Sequence, residues 1–294
     1  MIAEAIDNKV KRVVSSIRNL PTPPIVFHQI QKVIGDPNVS AAHVASILAE
    51  DPAMSAKVLR LTNSSFYGLA REVESVKQAV VVIGFEAIKN LVLSASVLDM
   101  FKGKNIDQEY HDRFWRHSLS TAFCSRTLAR KLNSHGMVDP DAAFSAGLLH
   151  DVGKLVISCF LEEEYLQFKQ ERSEDKDSPD FVIEEGVLGY NHAQIGGFLG
   201  EQWKIPQKLM EAISYHHHPQ LHESDSPVAF IVHLANHVSK KTFADDYRNT
   251  PAGVPEPQVM EYMGVTEDDL DGYSELLREE YLKAETFMQM AGLS

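Results

Sequence analysis

Cysteine is scarce in this chain, because Cys124 and Cys159 are the only two among its 294 residues. Both have apolar neighbours in the sequence, which suits reduced thiols in a protein core better than a disulfide framework. Two cysteines also exclude a zinc site built mainly on thiolates, which needs three or four of them. Any metal site in this protein must therefore use other ligands.

Basic residues are in deficit, and long apolar runs are lacking. The sequence has 28 Lys and Arg residues against 41 Asp and Glu residues, a net charge of −13. Such a balance repels phosphate backbones, so we expect no DNA partner. No apolar run approaches the ~18 residues that span a bilayer, and the charged first thirty residues do not resemble a secretory signal. We therefore expect a cytoplasmic protein without a membrane partner.

The alternating pattern of β-strands is also missing, and almost every segment repeats at the helical period. Met54, Val58 and Leu61, for example, recur at positions i, i+4 and i+7. Helix starts are marked by a capping residue, in two cases followed by proline at the first helical position. These starts lie at Ser40, Asp51-Pro52, Ser75 and Asp139-Pro140, and we expect the helix after Asp139-Pro140 to carry His150. The sequence predicts an all-α protein.

Breaks in the helical pattern divide the chain. Prolines at positions 21, 23 and 24 end an entry helix, and the pattern weakens again near residues 101–109. The polar run Glu171–Asp180 is typical of a solvated loop, and a proline-rich linker follows at 250–257. We predict a two-lobed helical bundle. Its parts are an N-terminal helix segment (1–14), an N-terminal lobe (about 20–100), a second lobe (about 108–240) and a C-terminal helical tail (241–294).

The pair His150-Asp151 stands inside the apolar run from Gly147 to Lys154. Polar and charged groups are costly to bury unless something pairs with them, and a metal ion is one such partner. Taken alone, however, a His-Asp pair is more often a core histidine beside a helix-capping aspartate, because buried polar groups are usually satisfied within the protein.

Further histidines change this balance. Among 13 in the chain, His117, His192, His216 and His217 lie where predicted helices can bring them to the pair. Each has a simple structural explanation on its own, but their joint occurrence favours a metal site in the bundle core. Imidazole suits iron, manganese, nickel or zinc, and a carboxylate can bridge two ions. We therefore expect one or two divalent ions, with Lys154 contacting a bound phosphate or pairing with Asp151.

The order of these residues resembles the HD superfamily of metal-dependent phosphohydrolases, and the stretch from Leu148 to Lys154 resembles its HD-x-G-K motif. The first lobe is similar to the HDOD family, which consists of bacterial HD-related output domains found in signalling proteins. The resemblance covers about residues 15–240. The similar segments are Leu20–Pro24, Asp51–Ser64, Tyr67-Gly68 and Ala79–Gly84.

The resemblance implies a set of site residues, with Asp151 and Lys154 as the catalytic candidates. The last expected ligand, an aspartate in the parent fold, is Asn236 in this chain, which offers a neutral oxygen. The Gly-Tyr-Pro signature of the HD-GYP phosphodiesterases is absent after the paired histidines, which disfavours cyclic dinucleotide hydrolysis. The implied metal ligands are His117, His150, Asp151, His192, His216, His217 and Asn236.

Three functions follow as expectations. The first is a bacterial signal-transduction module that retains the metal-binding pocket and contacts a signalling protein through its first lobe. The second is a metal-dependent phosphohydrolase acting on a nucleotide or cyclic nucleotide. The third keeps the pocket without the chemistry, so that the site binds a nucleotide as a sensor.

Overall fold

The computed structural model describes residues 2–17, 19–101, 108–132, 138–222, 226–243 and 253–291, and all regular secondary structure among them is helical. These residues form sixteen α-helices and one 3-10 turn (Pro219–Leu221), and no strand occurs among them. The all-α prediction is confirmed. The helices are α1 Ile2–Ser16, α2 Ile25–Ile34, α3 Ala41–Ala49, α4 Pro52–Thr62, α5 Val76–Ile83, α6 Phe85–Met100, α7 Gln108–Leu132, α8 Pro140–Leu149, α9 Val152–Phe160, α10 Glu162–Glu174, α11 Asp180–Leu188, α12 His192–Gln202, α13 Gln207–Tyr215, α14 Pro227–Thr242, α15 Pro257–Met263 and α16 Glu267–Ala291.

The capping residues read from the sequence make the expected bonds. The side chains of Ser40, Asp51 and Ser75 each accept a hydrogen bond from the backbone N–H three residues later, at the starts of α3, α4 and α5. Asp139 accepts from two backbone N–H groups at the start of α8. Because these bonds satisfy donors that have no partner inside the helix, they define where each helix begins.

The chain separates into two compact units. One contains residues 21–102 and 280–294, and the other contains residues 1–20 and 103–279. In the first unit, α2 and α4 pack against α6, and α3 packs against α5. The buried face of α6 is apolar over nearly its whole length, and the buried Lys57 on α4 forms an ion pair with Asp99 of α6.

The second unit is centred on α7, which packs against α8 and α14, while α12 packs against α9 and α13. Helix α1 packs on α12, so the first twenty residues group with this unit rather than with the lobe that follows them. His233 of α14 joins two segments, because its Nδ1 lies 2.8 Å from the His216 carbonyl oxygen and its Nε2 accepts from the Glu256 N–H at 3.0 Å.

The run 140–160 is apolar and long enough to cross a membrane by length and composition, but 78% of its most apolar stretch is buried inside the protein. Helices α5 and α6 meet that criterion only as a pair bent by 118° at Gly84. Core helices of this kind are apolar because they are buried on most sides.

One local prediction was wrong, and another was correct only in part. His150 does not lie inside a helix, because α8 ends at Leu149 and α9 begins at Val152. The polar run predicted as a solvated loop is a loop at residues 175–179, but it is helical up to Glu174, and its last residue, Asp180, begins α11. Asp180 forms ion pairs with Lys154 and Arg172, and these pairs draw the end of the run toward the protein interior.

Candidate metal centre

His150 and Asp151 form the break between α8 and α9, and both side chains are buried in the interior of the second unit. His117 reaches them from the middle of α7, and His192 from the first position of α12. His216 and His217 follow directly after α13. Short, closely packed helices thus bring six predicted ligands, far apart in sequence, to one place.

The first group of candidate ligands consists of His117, His150 and Asp151, all of them buried. Their ligand atoms lie within 4.8 Å of one another. The Nε2 atoms of His117 and His150 are 3.2 Å apart. Asp151 Oδ2 lies 3.5 Å from His117 Nε2, and Asp151 Oδ1 lies 3.4 Å from His150 Nε2.

The second group consists of Asp151, His192, His216 and His217, again with ligand atoms within 4.8 Å of one another. His192 Nε2 lies 2.9 Å from Asp151 Oδ1 and 2.9 Å from His217 Nε2. His216 Nε2 is 3.5 Å from the same carboxylate oxygen. Asp151 belongs to both groups, which is the arrangement that a carboxylate bridging two ions requires.

The other nitrogen of three rings is held by a protein acceptor. His150 Nδ1 lies 2.7 Å from the Gly147 carbonyl oxygen, and His216 Nδ1 lies 2.9 Å from that of Ile213. His192 Nδ1 lies 2.6 Å from a carboxylate oxygen of Glu184. An acceptor at Nδ1 requires the proton there, so in each of these rings that is neutral Nε2 directs a lone pair at the cluster, as in metal-ligating histidines.

The charge states follow from burial and from the carboxylates. Burial lowers the pKa of His150 to about 3 and that of His216 to about 4. Burial opposes a charge on His192 as well, but Glu184 and Asp151 outweigh it and raise the pKa of that ring. Burial would raise the pKa of Asp151, yet His150, Lys154 and His192 hold it well below its ordinary value. The centre therefore combines neutral imidazoles at His150 and His216 with an ionised carboxylate at Asp151, while the carboxylates around His192 favour a positive charge on that ring.

This donor set fits a divalent cation. The Nε2 atoms of His192 and His217 and the carboxylate of Asp151 lie at about hydrogen-bond distance from one another, an arrangement that is stabilised by a positive charge among them, either a bound cation or a proton on His192. Among the described residues, neither His216 Nε2 nor Asn236 Oδ1 has a hydrogen-bond partner, although both atoms are buried. Buried polar atoms rarely stay unsatisfied, and nitrogen and oxygen donors of this kind suit the first-row divalent metals.

Two predicted residues have surroundings that differ from the others. Lys154 Nζ lies 2.9 Å from Asp151 Oδ2 and 3.4 Å from Asp180 Oδ2, so its ammonium pairs with carboxylates, the second of the two roles expected for it. Asn236 is buried on α14, one turn before Ser239, whose hydroxyl is 3.5 Å from His117 Nδ1. Asn236 therefore shares a helix face with a residue that contacts the first ligand group.

Sequence reasoning missed Glu184, which is 2% exposed. One of its carboxylate oxygens accepts from both the backbone N–H of His192, at 2.8 Å, and the ring nitrogen Nδ1. A carboxylate behind a ligating histidine orients the ring and makes it more basic. In the sequence, Glu184 is distinguished only by its position eight residues before His192. This spacing matches no helical or strand repeat, so the sequence did not predict the contact.

The profile of the HDOD domain family matches residues 20–219, about two thirds of the chain. This chain belongs to the HDOD domain family. A curated relative, an uncharacterized protein of Treponema pallidum (strain Nichols), is 23% identical over 221 residues. The match covers 75% of this chain but only 42% of that protein, so the chain spans less than half the relative's length.

Solved structures share the fold of this HDOD chain. An HDOD domain protein of unknown function from Geobacter sulfurreducens matches with a TM-score of 0.77 and 23% identity, over 98% of this chain and 99% of that one. A candidate phosphohydrolase from Shewanella amazonensis SB2B matches with a TM-score of 0.73 and 25% identity, over 99% of this chain and 98% of that one. A candidate signal transduction protein from Marinobacter aquaeolei VT8 matches with a TM-score of 0.75 and 22% identity, over 99% of this chain and 65% of that one.

Proposed function

We propose that this protein is a regulatory HDOD module whose second unit binds one or two divalent metal ions. The observation that carries the proposal is the position of Asp151 in two adjacent groups of imidazole ligands. Nitrogen-rich donors with one shared carboxylate favour iron, manganese, nickel or zinc over magnesium or calcium, which prefer all-oxygen sites.

The regulatory part of the proposal concerns the first unit. Its surface carries exposed apolar side chains, with Ile25 at 77%, Val81 at 69% and Val82 at 48% exposure. Exposed apolar groups that lie together are typical of surfaces that bind other proteins. Val81 and Val82 are neighbours on α5, and they support a signalling protein as the partner of this unit.

Metal content tests the proposal directly. Protein purified without chelator should hold close to one or two equivalents of metal by inductively coupled plasma mass spectrometry. Asp151→Asn should lose most of it, because Asp151 serves both ligand groups. His43→Ala, an exposed histidine on α3, is the matched control and should keep the wild-type content. Wild-type protein without stoichiometric metal, after growth in metal-supplemented medium, contradicts the proposal.

A second candidate function is a metal-dependent phosphohydrolase acting on a nucleotide or cyclic nucleotide. The same near-complete ligand set favours it, and a bound metal would polarise a phosphoryl oxygen. His117, His150, Asp151, His192, His216 and His217 would hold the metal, and Lys154 would keep the Asp151 carboxylate oriented through its ion pair. Asn236 weakens this candidate, because it supplies no charge where the enzymes of the parent fold have an aspartate.

Turnover separates the candidates. Metal-loaded protein should be assayed with nucleoside monophosphates, cyclic nucleotides and p-nitrophenyl phosphate. Sustained hydrolysis that Asp151→Asn abolishes and His43→Ala leaves unchanged would establish the enzyme. A rise in melting temperature with a nucleotide, without product, would instead support the module acting as a nucleotide sensor.

A further inference from the structure

Two lysines carry positive charge at the metal centre, and their surroundings differ. Lys154 is paired with Asp151 and Asp180, and these carboxylates, together with Glu184, outweigh burial and raise the pKa of its ammonium. An ammonium held by two carboxylates has little capacity left for a ligand. The phosphate contact that the sequence suggested for Lys154 is therefore open to another residue.

Lys240 on α14 is the second lysine. It is only 9% exposed. Within the described parts of the chain, no hydrogen bond or ion pair to its ammonium is found. Burial lowers the pKa of Lys240, and the charge of Lys154 lowers it further, while Asp151, Asp180 and Glu184 act in the opposite direction. A charged group in such a position is costly unless a counter-charge joins it.

The location of Lys240 follows from its helix. Asn236 precedes it by one turn on the same face, and the adjacent Ser239 contacts His117. The Lys240 charge also disfavours protonation of both His117 and His217, which belong to different ligand groups. Lys240 therefore lies on the face of α14 that holds the buried Asn236, next to the residue that contacts His117.

We propose that Lys240 is the anion-binding residue of this site and that it contacts a phosphate group of a ligand held at the metal centre. The proposal rests on the proposed function, since it names the ligand class of the same site. The carboxylates near Lys240 already serve Lys154 and His192. An incoming phosphate brings the negative charge that the Lys240 ammonium lacks, and a compact lysine ammonium binds a phosphate oxygen as a point charge.

Inorganic phosphate is the probe for the test, titrated calorimetrically into metal-loaded and into chelator-treated full-length protein. Lys240→Met should weaken phosphate binding about 10-fold to 100-fold, the range expected for one charge-assisted hydrogen bond. Lys240→Arg should keep most of the affinity. Lys241→Met is the matched control, because its side chain is 47% exposed and pairs with Asp271 on the surface, and it should bind phosphate like the wild type.

Melting temperature without phosphate gives a second reading. Replacing Lys240, whose side chain is largely buried and whose ammonium has no partner among the described residues, by methionine should leave the ligand-free protein as stable as before or raise its melting temperature, whereas loss of a structural ion pair would lower it. The proposal is overturned by wild-type phosphate affinity in Lys240→Met, by a lowered melting temperature of that variant without phosphate, or by a wild-type protein that binds no phosphate in either form. Metal content measured on the same samples reports on the proposed function separately.

Discussion

Gly153 sits where two backbones meet, and replacing it with alanine should disturb both stability and the metal centre. A Cβ added at this position would lie 2.0 Å from the carbonyl oxygen of His192, 2.8 Å from its carbonyl carbon and 3.0 Å from the backbone nitrogen of Gly196. Comfortable contacts between such atoms begin near about 3.5 Å. Because all three obstacles are backbone atoms, α9 and α12 must move apart.

The magnitude can be worked from this geometry. Forcing one extra carbon into a close-packed core costs about 1–3 kcal/mol, and a backbone obstacle places Gly153→Ala near the upper end. The lower backbone entropy of unfolded alanine returns roughly 0.5–1 kcal/mol. The net loss of unfolding free energy is about 2 kcal/mol, or about 4–8 °C in melting temperature for a unit of this size.

The displaced carbonyl belongs to His192, so metal affinity should fall about 10-fold or more as that ring leaves its position. Calorimetric melting and metal titration measure the two effects on one sample. Gly186→Ala is the control, because Gly186 is exposed on α11 and an added Cβ meets no atom within 4 Å. It should stabilise the protein by about 0.5–1 kcal/mol. A Gly153→Ala protein that melts and binds metal like the wild type would refute the packing argument.

Glu184→Gln removes the negative charge behind the His192 ring and should weaken metal binding about 10-fold in calorimetric titrations. Glu163→Gln, at an exposed position on α10, is the control and should bind metal like the wild type. Equal affinities of the two variants would mean that the Glu184 charge does not contribute to metal binding. Cys124 is 2% exposed, and burial raises the pKa of its thiol. Native protein at pH 8 should therefore react with Ellman's reagent only at Cys159, which is partly exposed. Two reactive thiols in the native protein would contradict the fold. His233→Ala removes hydrogen bonds to two backbone groups and should lower the free energy of unfolding, measured by urea denaturation, by about 1–3 kcal/mol. An unchanged denaturation midpoint would show that these hydrogen bonds do not stabilise the protein.

The helices were largely predictable because their ends are encoded locally. Helices α3 and α4 begin directly after the capping residues predicted for them, and the capping bonds at Ser40 and Asp51 explain why. The break at His150 was not predictable in this way. The flanking residues are apolar and helix-compatible, so the break depends on tertiary contacts such as the approach of α9 to α12 at Gly153.

The candidate site was predictable only for residues whose chemistry is unusual in an apolar run. Histidines stand out there, and six predicted ligands meet in space. Glu184 and Lys240 did not stand out, because each belongs to a pair of like charges, Glu184-Glu185 and Lys240-Lys241, of which one member is buried and the other is exposed. Which member turns inward depends on helix phase relative to neighbours, although the four-residue spacing from Asn236 to Lys240 was a usable signal.

The charge balance of the centre connects its departures from the parent fold. Asp151 is the single carboxylate in the two ligand groups, and Asn236 adds no charge where a second one is expected. Two divalent ions and the nearby Lys240 would therefore leave the site with excess positive charge, which an anionic ligand would neutralise. A ligand held by both metal and ammonium dissociates slowly, because breaking such charge pairs raises the barrier to release. Slow release limits turnover but favours a stable bound state, so the same charge balance that weakens the enzyme candidate supports regulation by a retained ligand.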